Sequence, residues 1–210
     1  SNSISEKALD LAINYDIGKS DFTLSFDSSG GSDIENISAK NGDTIVLPSP
    51  SKVGYTFLGW KSSSGVVYDG GSSYVMPIGG DTFIAQWRVN KLYIQYSMNG
   101  GTLKDPHGSQ YSSDSDGFVL KSGNKIIHTL EYGGTAPSDS GLADCNSQTH
   151  INISKEGYLA LDGFEWNTEA DGSGKSFNQH TIYKTSELAD LSNGDVNLTL
   201  YVNWKPIKYT

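Results

Sequence analysis

The sequence predicts a mostly β fold, α+β at most, organised as two tandem modules with short or absent helices. Three observations carry this. Short apolar runs alternate with polar residues at period two, the signature of half-buried strands. Glycine makes up 24 of 210 residues, above the roughly 7% usual in globular chains, and clusters between those runs where tight turns need it. One set of landmarks also occurs twice. Phe22–Phe26, Gly30-Gly31, Gly54-Tyr55-Thr56-Phe57-Leu58-Gly59-Trp60 and Thr82–Trp87 return as Leu92–Tyr96, Gly100-Gly101, Gly157-Tyr158, Trp166 and Thr199–Trp204. Such recurrence usually marks one folding unit used twice. The length allows one large or two small domains. The expected divisions are 1–21, an N-terminal strand and linker from or toward an upstream module; 22–88, a first module; and 89–210, a second and larger one.

The elements follow in order. Residues 7–17 alternate Leu9, Leu11, Ile13, Tyr15 and Ile17 with polar neighbours and Ala12, which favours a strand over the helix that Ser3 and Glu6 could cap. Phe22, Leu24 and Phe26 give the next strand, and Asp27–Gly31 is turn chemistry. Asn41-Gly42-Asp43 turns the chain into Thr44–Leu47, which Pro48 and Pro50 stop. Tyr55–Trp60 is a strand, Gly65 and Gly70-Gly71 punctuate a hairpin-rich stretch, and Thr82–Trp87 closes the module. Arg88–Lys91 is a short linker, from which an end-to-end semi-rigid rod is expected. The second module keeps this order but is lengthened at about 102–125, 138–153 and 181–195, where Ser186–Leu191 suits a short capped helix. Loops this long are uncommon unless functional or disordered.

Composition narrows the partners. Hydrophobic residues make up only 36% of the chain. The 12 Tyr, 7 Phe and 4 Trp compensate by removing large areas from water per residue. The formal net charge of -9 would repel a phosphate backbone or an anionic lipid surface, so neither nucleic acid nor membrane docking is expected. No stretch approaches the roughly 20 apolar residues of a membrane helix, and membrane insertion is not expected. Cys145 is the single cysteine, so no disulfide forms within the chain. The opening Ser1-Asn2 fits a scar of tag removal, and with it a monomeric fragment of a longer protein.

At Phe26, Gly30, Gly31, Gly42, Pro48, Pro50, Gly54, Tyr55, Phe57, Gly59, Trp60 and Trp87 the chain resembles the Listeria–Bacteroides repeat, the B repeat of internalins and related bacterial surface proteins. The second module resembles it at Tyr96, Gly100, Gly101, Gly133, Pro137, Gly157, Tyr158, Trp166 and Trp204, and in Asn167–Gly174 after the central tryptophan. It departs in three extra residues between Gly157-Tyr158 and Trp166, and in its insertions. The resemblance implies a β-grasp-like module of mixed sheet, strung in tandem along secreted or wall-anchored proteins as stalk, spacer or adhesion unit. A Leu-Pro-x-Thr-Gly sorting motif is absent; Leu47-Pro48-Ser49-Pro50 is not one.

Reactive chemistry is sparse. His107, His128, His150 and His180 lack zinc-motif spacing, and no metal or cofactor site is expected. Asp114-Ser115-Asp116-Gly117 and Asp171–Gly174 look faintly like calcium loops but lack the spaced carboxylates of one. No Gly-x-Ser-x-Gly elbow or phosphate-binding glycine motif occurs. A Lys–Asn amide crosslink would need a buried lysine beside an asparagine; Lys91, Lys125 and Asn203 are the residues considered. Tyr55, Phe57, Trp60 and Trp87 read as core, whereas Tyr68, Tyr74, Tyr111 and Tyr132 are the candidates for stacking on a sugar or anchoring a protein.

The sequence therefore predicts a non-catalytic spacer or adhesion module of a secreted or cell-wall-associated bacterial protein, able to bind a host or matrix protein through strand edges or the long loops. The alternatives are an accessory carbohydrate-binding module of a multidomain enzyme, using those loop tyrosines, and a hydrolase built from the insertions around His107, His128 and His150.

Overall fold

The computed structural model describes residues 5–11, 13, 20–104, 111–121, 123–135, 152–159, 165–178 and 181–208. The chain divides into two compact units, Ser1–Val89 and Asn90–Thr210. It is mostly β, with mixed sheets and two short helices.

Unit one is a five-stranded sheet in the order β2-β1-β7-β4-β5. Its strands are β1 (Asp21–Asp27), β2 (Ile37–Lys40), β4 (Tyr55–Lys61), β5 (Val67–Tyr68) and β7 (Asp81–Val89). The central pair, β1 and β7, is parallel; every other pair is antiparallel. A parallel pair cannot be joined by a hairpin, and the crossover between β1 and β7 holds the other strands of the unit. That includes a two-stranded ribbon of β3 (Thr44–Val46) and β6 (Ser73–Val75). Ile45 and Tyr74 from this ribbon pack on the core of Leu24, Leu47, Trp60, Met76, Phe83 and Ala85. The layer over the sheet is thus a ribbon rather than a helix. Six fully buried side chains make a small core, and aromatic edges extend it: the Tyr74 ring meets Phe83 edge-on at 5.0 Å, and Phe26 stacks on Phe83 at 5.5 Å.

Gly59 shows why the central motif carries a glycine there. A bulge at Leu58 shifts the β4–β7 register between Phe57 and Gly59. Gly59 takes φ 130°. A Cβ on it would stand 2.7 Å from the Tyr68 carbonyl oxygen and 2.8 Å from Val67 Cγ1. Both the backbone angle and the closeness of β5 exclude a side chain.

Unit two repeats the arrangement. Its five-stranded sheet runs β13-β8-β18-β16-β17. The strands are β8 (Lys91–Ser97), β13 (Ile127–Glu131), β16 (Glu165–Asn167), β17 (Ser176–Asn178) and β18 (Val196–Val202). Here β8 and β18 are the parallel pair, flanked by antiparallel neighbours. Its core is larger. Leu103 and Ile153 reach it from the ribbon of β9 (Thr102–Lys104) and β14 (Asn152–Ser154). Val119 and Ile126 come from the insertion that forms β10 (Tyr111–Ser113), β11 (Val119–Lys121) and β12 (Asn124–Lys125), and Leu188 comes from the helix Thr185–Leu188. That helix starts where the Lys184 amide donates to Glu187 Oε2 at 2.7 Å, close to the predicted 186–191. The remaining pair is β15 (Tyr158–Leu159) with β19 (Lys205–Pro206).

Two expectations are corrected. The strand predicted over 7–17 is not one where it is described: residues 5–11 and 13 are helical. Leu9, Leu11 and Ile13 are 61%, 75% and 48% exposed, so no sheet face buries them. A strand without a neighbour leaves its amides unpaired, whereas a helix bonds its own. The four-residue linker at 88–91 shrinks to Asn90, because β7 continues to Val89 and β8 begins at Lys91. Asn90 is fully buried, and its side-chain amide donates to the Leu191 carbonyl at 2.7 Å.

Gly59→Ala is expected to destabilise unit one by about 2–4 kcal/mol through added strain and overpacking. Gly65→Ala, whose Cβ would meet nothing within 4 Å, should cost only about 1 kcal/mol. Urea unfolding followed by tryptophan fluorescence separates the two.

Candidate functional site

The recurring glycine pair is where each unit spends its most specific residues. In unit one β1 runs into a turn with Ser29 at φ 50° and Gly30 at φ 82°. The Gly31 amide closes it on the Ser28 carbonyl at 3.0 Å. Trp87, near the end of β7, donates its indole N–H to the same carbonyl at 2.9 Å. A Cβ on Gly31 would lie 2.6 Å from Trp87 Cζ2. The two glycines therefore serve different needs: Gly30 supplies the backbone angle, and Gly31 the room for the indole. Lys52 seals the other side. Its ammonium donates to the Ser29 carbonyl at 2.9 Å and stands 4.5 Å from the Tyr55 ring centroid.

Unit two builds the same arrangement from different neighbours. Asn99 takes φ 50° and Gly100 φ 76°. The Gly101 amide and the Trp204 indole both donate to the Met98 carbonyl, at 3.0 and 2.8 Å. A Cβ on Gly101 would collide with the Trp204 ring. Lys155 donates to the Asn99 carbonyl at 2.9 Å and lies 4.6 Å from the Tyr158 ring centroid. Sequence reasoning found the glycines and tryptophans but missed both lysines. The signal was present, since Lys-x-Gly-Tyr occurs at 52–55 and again at 155–158. Each lysine combines a charged hydrogen bond with a cation–π contact, together about 1–3 kcal/mol at a partly exposed site.

The central tryptophans are both fully buried. Trp60 donates to the Pro48 carbonyl at 2.7 Å and meets the Phe26 ring at 4.9 Å. Trp166 meets the Tyr96 ring at 4.9 Å. The Tyr96 hydroxyl in turn pairs with His128 Nδ1 at 2.9 Å. Beside Trp166, the buried Asn167 organises the turn that follows. Its Nδ2 donates to the carbonyls of Gly172 and Gly174 and to Ser176 Oγ, and its Oδ1 accepts from the amides of Glu169 and Gly174.

The candidate tyrosines divide between the units, Tyr68 and Tyr74 in unit one and Tyr111 and Tyr132 in unit two. Tyr68 and Tyr74 pack edge-on at 5.1 Å against the unit-one core. The Tyr74 hydroxyl donates to Asp81 Oδ2 at 2.6 Å. Tyr111 lies on β10. Tyr132 is exposed and lines a cavity of about 140 Å³ with Thr185, Ser186, Ala189, Asp190 and Leu191. Of the histidines, His107, His150 and His180 lie outside the described residues, as does Cys145. Among the described residues no group of three or more His, Cys, Asp or Glu could hold a metal ion. Asp114 instead accepts the amides of Asp116 and Phe118, and Asp171 that of Ser173, as turn residues do. Lys91 and Lys125 are not fully buried, as an amide crosslink would require; they face Glu131 at 3.9 Å and Asp114 at 3.8 Å.

Asp81 is the perturbed carboxylate of unit one. Burial alone would raise its pKa. Hydrogen bonds from Ser63, Tyr74 and the Thr82 amide outweigh that and hold it below the usual 3.8. Burial, followed by the bond to Asp81 and its charge, pushes the Tyr74 phenol well up.

With this geometry in place the comparisons can be read. Residues 22–86 match the family model of the Listeria-Bacteroides repeat domain. That match covers most of unit one, from β1 to the penultimate landmark before Trp87. Two proteins of Evansella cellulosilytica are similar to the chain. One, provisionally named a membrane protein, is 23% identical over 227 aligned residues, covering 87% of this chain and 33% of its own length. The other, provisionally named a glycine-rich membrane protein, is 28% identical over 95 residues, covering 44% and 11%. The chain thus spans a third or less of these relatives. No solved structure matches it. No helix among the described residues is long and apolar enough to cross a membrane.

Because the Asp81 pKa is depressed in the folded state, its stabilisation is present above the unfolded value near 3.8 and fades as pH falls through the lower folded value. Tyr74→Phe removes one of the bonds that depress it. The acid-unfolding midpoint of unit one should therefore move to higher pH, read by tryptophan fluorescence. Lys155→Met is expected to lower the stability of unit two by about 1–3 kcal/mol, measured by calorimetry.

Proposed function

We propose that the chain is a non-catalytic surface segment of a bacterial envelope protein, made of two copies of one β-grasp-like repeat, the second enlarged by insertions. It acts as spacer and adhesion module, outside the cell, and binds a host or matrix protein. The observation that carries this reading is the recurrence, in both units, of the same glycine turn under an indole, closed by a lysine on a tyrosine ring, at the same places in the same sheet order. These contacts are directed at the backbone of the turns. The family match over 22–86 and the membrane-protein names of the relatives support an envelope setting. Among the described residues β2 ends the sheet of unit one and β13 that of unit two, and an end strand is where a partner strand would add.

Two experiments test this. If the units are two copies, calorimetry resolves two transitions; Trp60→Ala lowers one and Trp166→Ala the other. A single transition lowered by both substitutions would remove the two-copy reading. For adhesion, beads coated with the chain should adhere to at least one of immobilised collagen, fibronectin or laminin, and a charged residue placed on β13, Thr129→Lys, should reduce that adhesion. Uniform failure on such surfaces would leave the spacer role alone standing.

A further inference from the structure

The solvent face of the unit-two sheet has a composition that a scaffold alone does not require. Inward-facing Leu92, Ile94 and Tyr96 on β8, and Leu200 and Val202 on β18, are buried. The alternate residues point to the other face, where Tyr93, Gln95, Asn197, Thr199 and Tyr201 are exposed or half-exposed and Ser97 and Asn167, opposite Tyr201, are buried. Across the strands Ile127 stands opposite Gln95, and Gln95 opposite Thr199; Thr129 stands opposite Tyr93, and Tyr93 opposite Asn197. Tyr201 stands four residues beyond Asn197 on β18, opposite Ser97. Tyr93 and Tyr201 therefore bracket Gln95 and Thr199, whose side chains are hydrogen-bonded at 2.9 Å. At about 3.3 Å per residue the two rings are spaced by roughly 13 Å along the strands. Tyr93, Gln95, Ile127 and Asn197 line a shallow depression of about 100 Å³. Charges stand at the margins, where Lys91 faces Glu131 at 3.9 Å and where Glu165 on β16 shares the face of Asn167, the residue opposite Tyr201.

Unit one supplies the comparison. Counting from the indole-accepting carbonyls of Ser28 and Met98, Thr23 and Ser25 hold the places of Tyr93 and Gln95. Counting from Trp87 and Trp204, Ile84 holds that of Tyr201. The same sheet is thus built with small hydroxyls and no outward tyrosine.

We propose that this face binds a neutral polysaccharide. Tyr93 and Tyr201 stack on the apolar faces of sugar rings. Gln95, Asn197 and Thr199 between them pair with sugar hydroxyls, since amides and hydroxyls both donate and accept. An open sheet face with only a shallow depression suits an extended polymer better than a small molecule, which needs a concave site. The uncharged patch on a chain of net charge -9 disfavours a polyanion. A protein partner would be anchored by side chains in fully desolvated pockets, and the depression here is too small for one. The proposal goes beyond the surface-module reading and does not rest on it: matrix-protein adhesion and polysaccharide binding fail separately.

The test is native affinity electrophoresis of the 210-residue chain in gels holding a soluble β-glucan, a galactomannan or an arabinoxylan, with polygalacturonate as the anionic control. At least one neutral polymer should retard the chain. Tyr93→Ala and Tyr201→Ala should each weaken binding by about five- to tenfold, the scale of one lost aromatic contact, while Tyr93→Phe keeps most of it. Ile84→Ala in unit one should leave retardation unchanged. Should a tyrosine variant unfold, Gln95→Ala with Asn197→Ala reads the same face. Absence of retardation by every neutral polymer overturns the proposal. So does retardation that survives the paired Tyr93→Ala and Tyr201→Ala changes, or binding to polygalacturonate alone.

Discussion

Each unit of this chain depends on an indole ring packed against a glycine in the turn that follows its first strand. The contact is between the two strands that form the parallel centre of the sheet. Trp87 follows β7's pairing with β1, and its N–H reaches the carbonyl at the end of β1; Trp204 does the same for β18 and β8. A parallel pair is joined only through a long crossover, so its register cannot be set by a turn. The indole sets it instead, because only one alignment brings the ring over the glycine and the donor to the carbonyl. The lysine then covers the turn from outside, and the crossover can lengthen without disturbing the centre. That is why unit two accommodates its insertions while keeping the sheet order of unit one.

How much of this was legible depended on whether a residue's type has one common use. Tryptophan and paired glycine do, so Gly30, Gly31, Trp60, Trp87 and their counterparts marked the frame. Lysine does not: residue type alone singled out neither Lys52 nor Lys155, whose role lies in their carbonyl and ring partners. Asn167 entered only as the start of the stretch after the central tryptophan, yet it is fully buried and holds the turn there through five hydrogen bonds. The period-two pattern at 7–17 misled because alternation specifies a strand only where a sheet supplies a partner. The outward tyrosines Tyr93 and Tyr201 were hidden for another reason. A tyrosine in a β run is ordinary, and only the register that places it beside amides, and the non-aromatic residues Thr23 and Ile84 at the same places in unit one, set it apart.

Polar chemistry in the described residues is directed at backbone. Lysine ammonium groups, indole N–H groups and Asn and Asp side chains mostly meet carbonyls and amides of turns. This is the economy expected of a chain with few aliphatic residues, where turns must be held by side chains because the core alone is too small to hold them.

The parallel centre has a mechanical consequence. The first strand of a unit enters at one end of the ladder and the last strand leaves at the other. Tension applied between those two points acts along the strands and loads their shared hydrogen bonds together, in shear. An antiparallel pair pulled the same way would unzip one bond at a time.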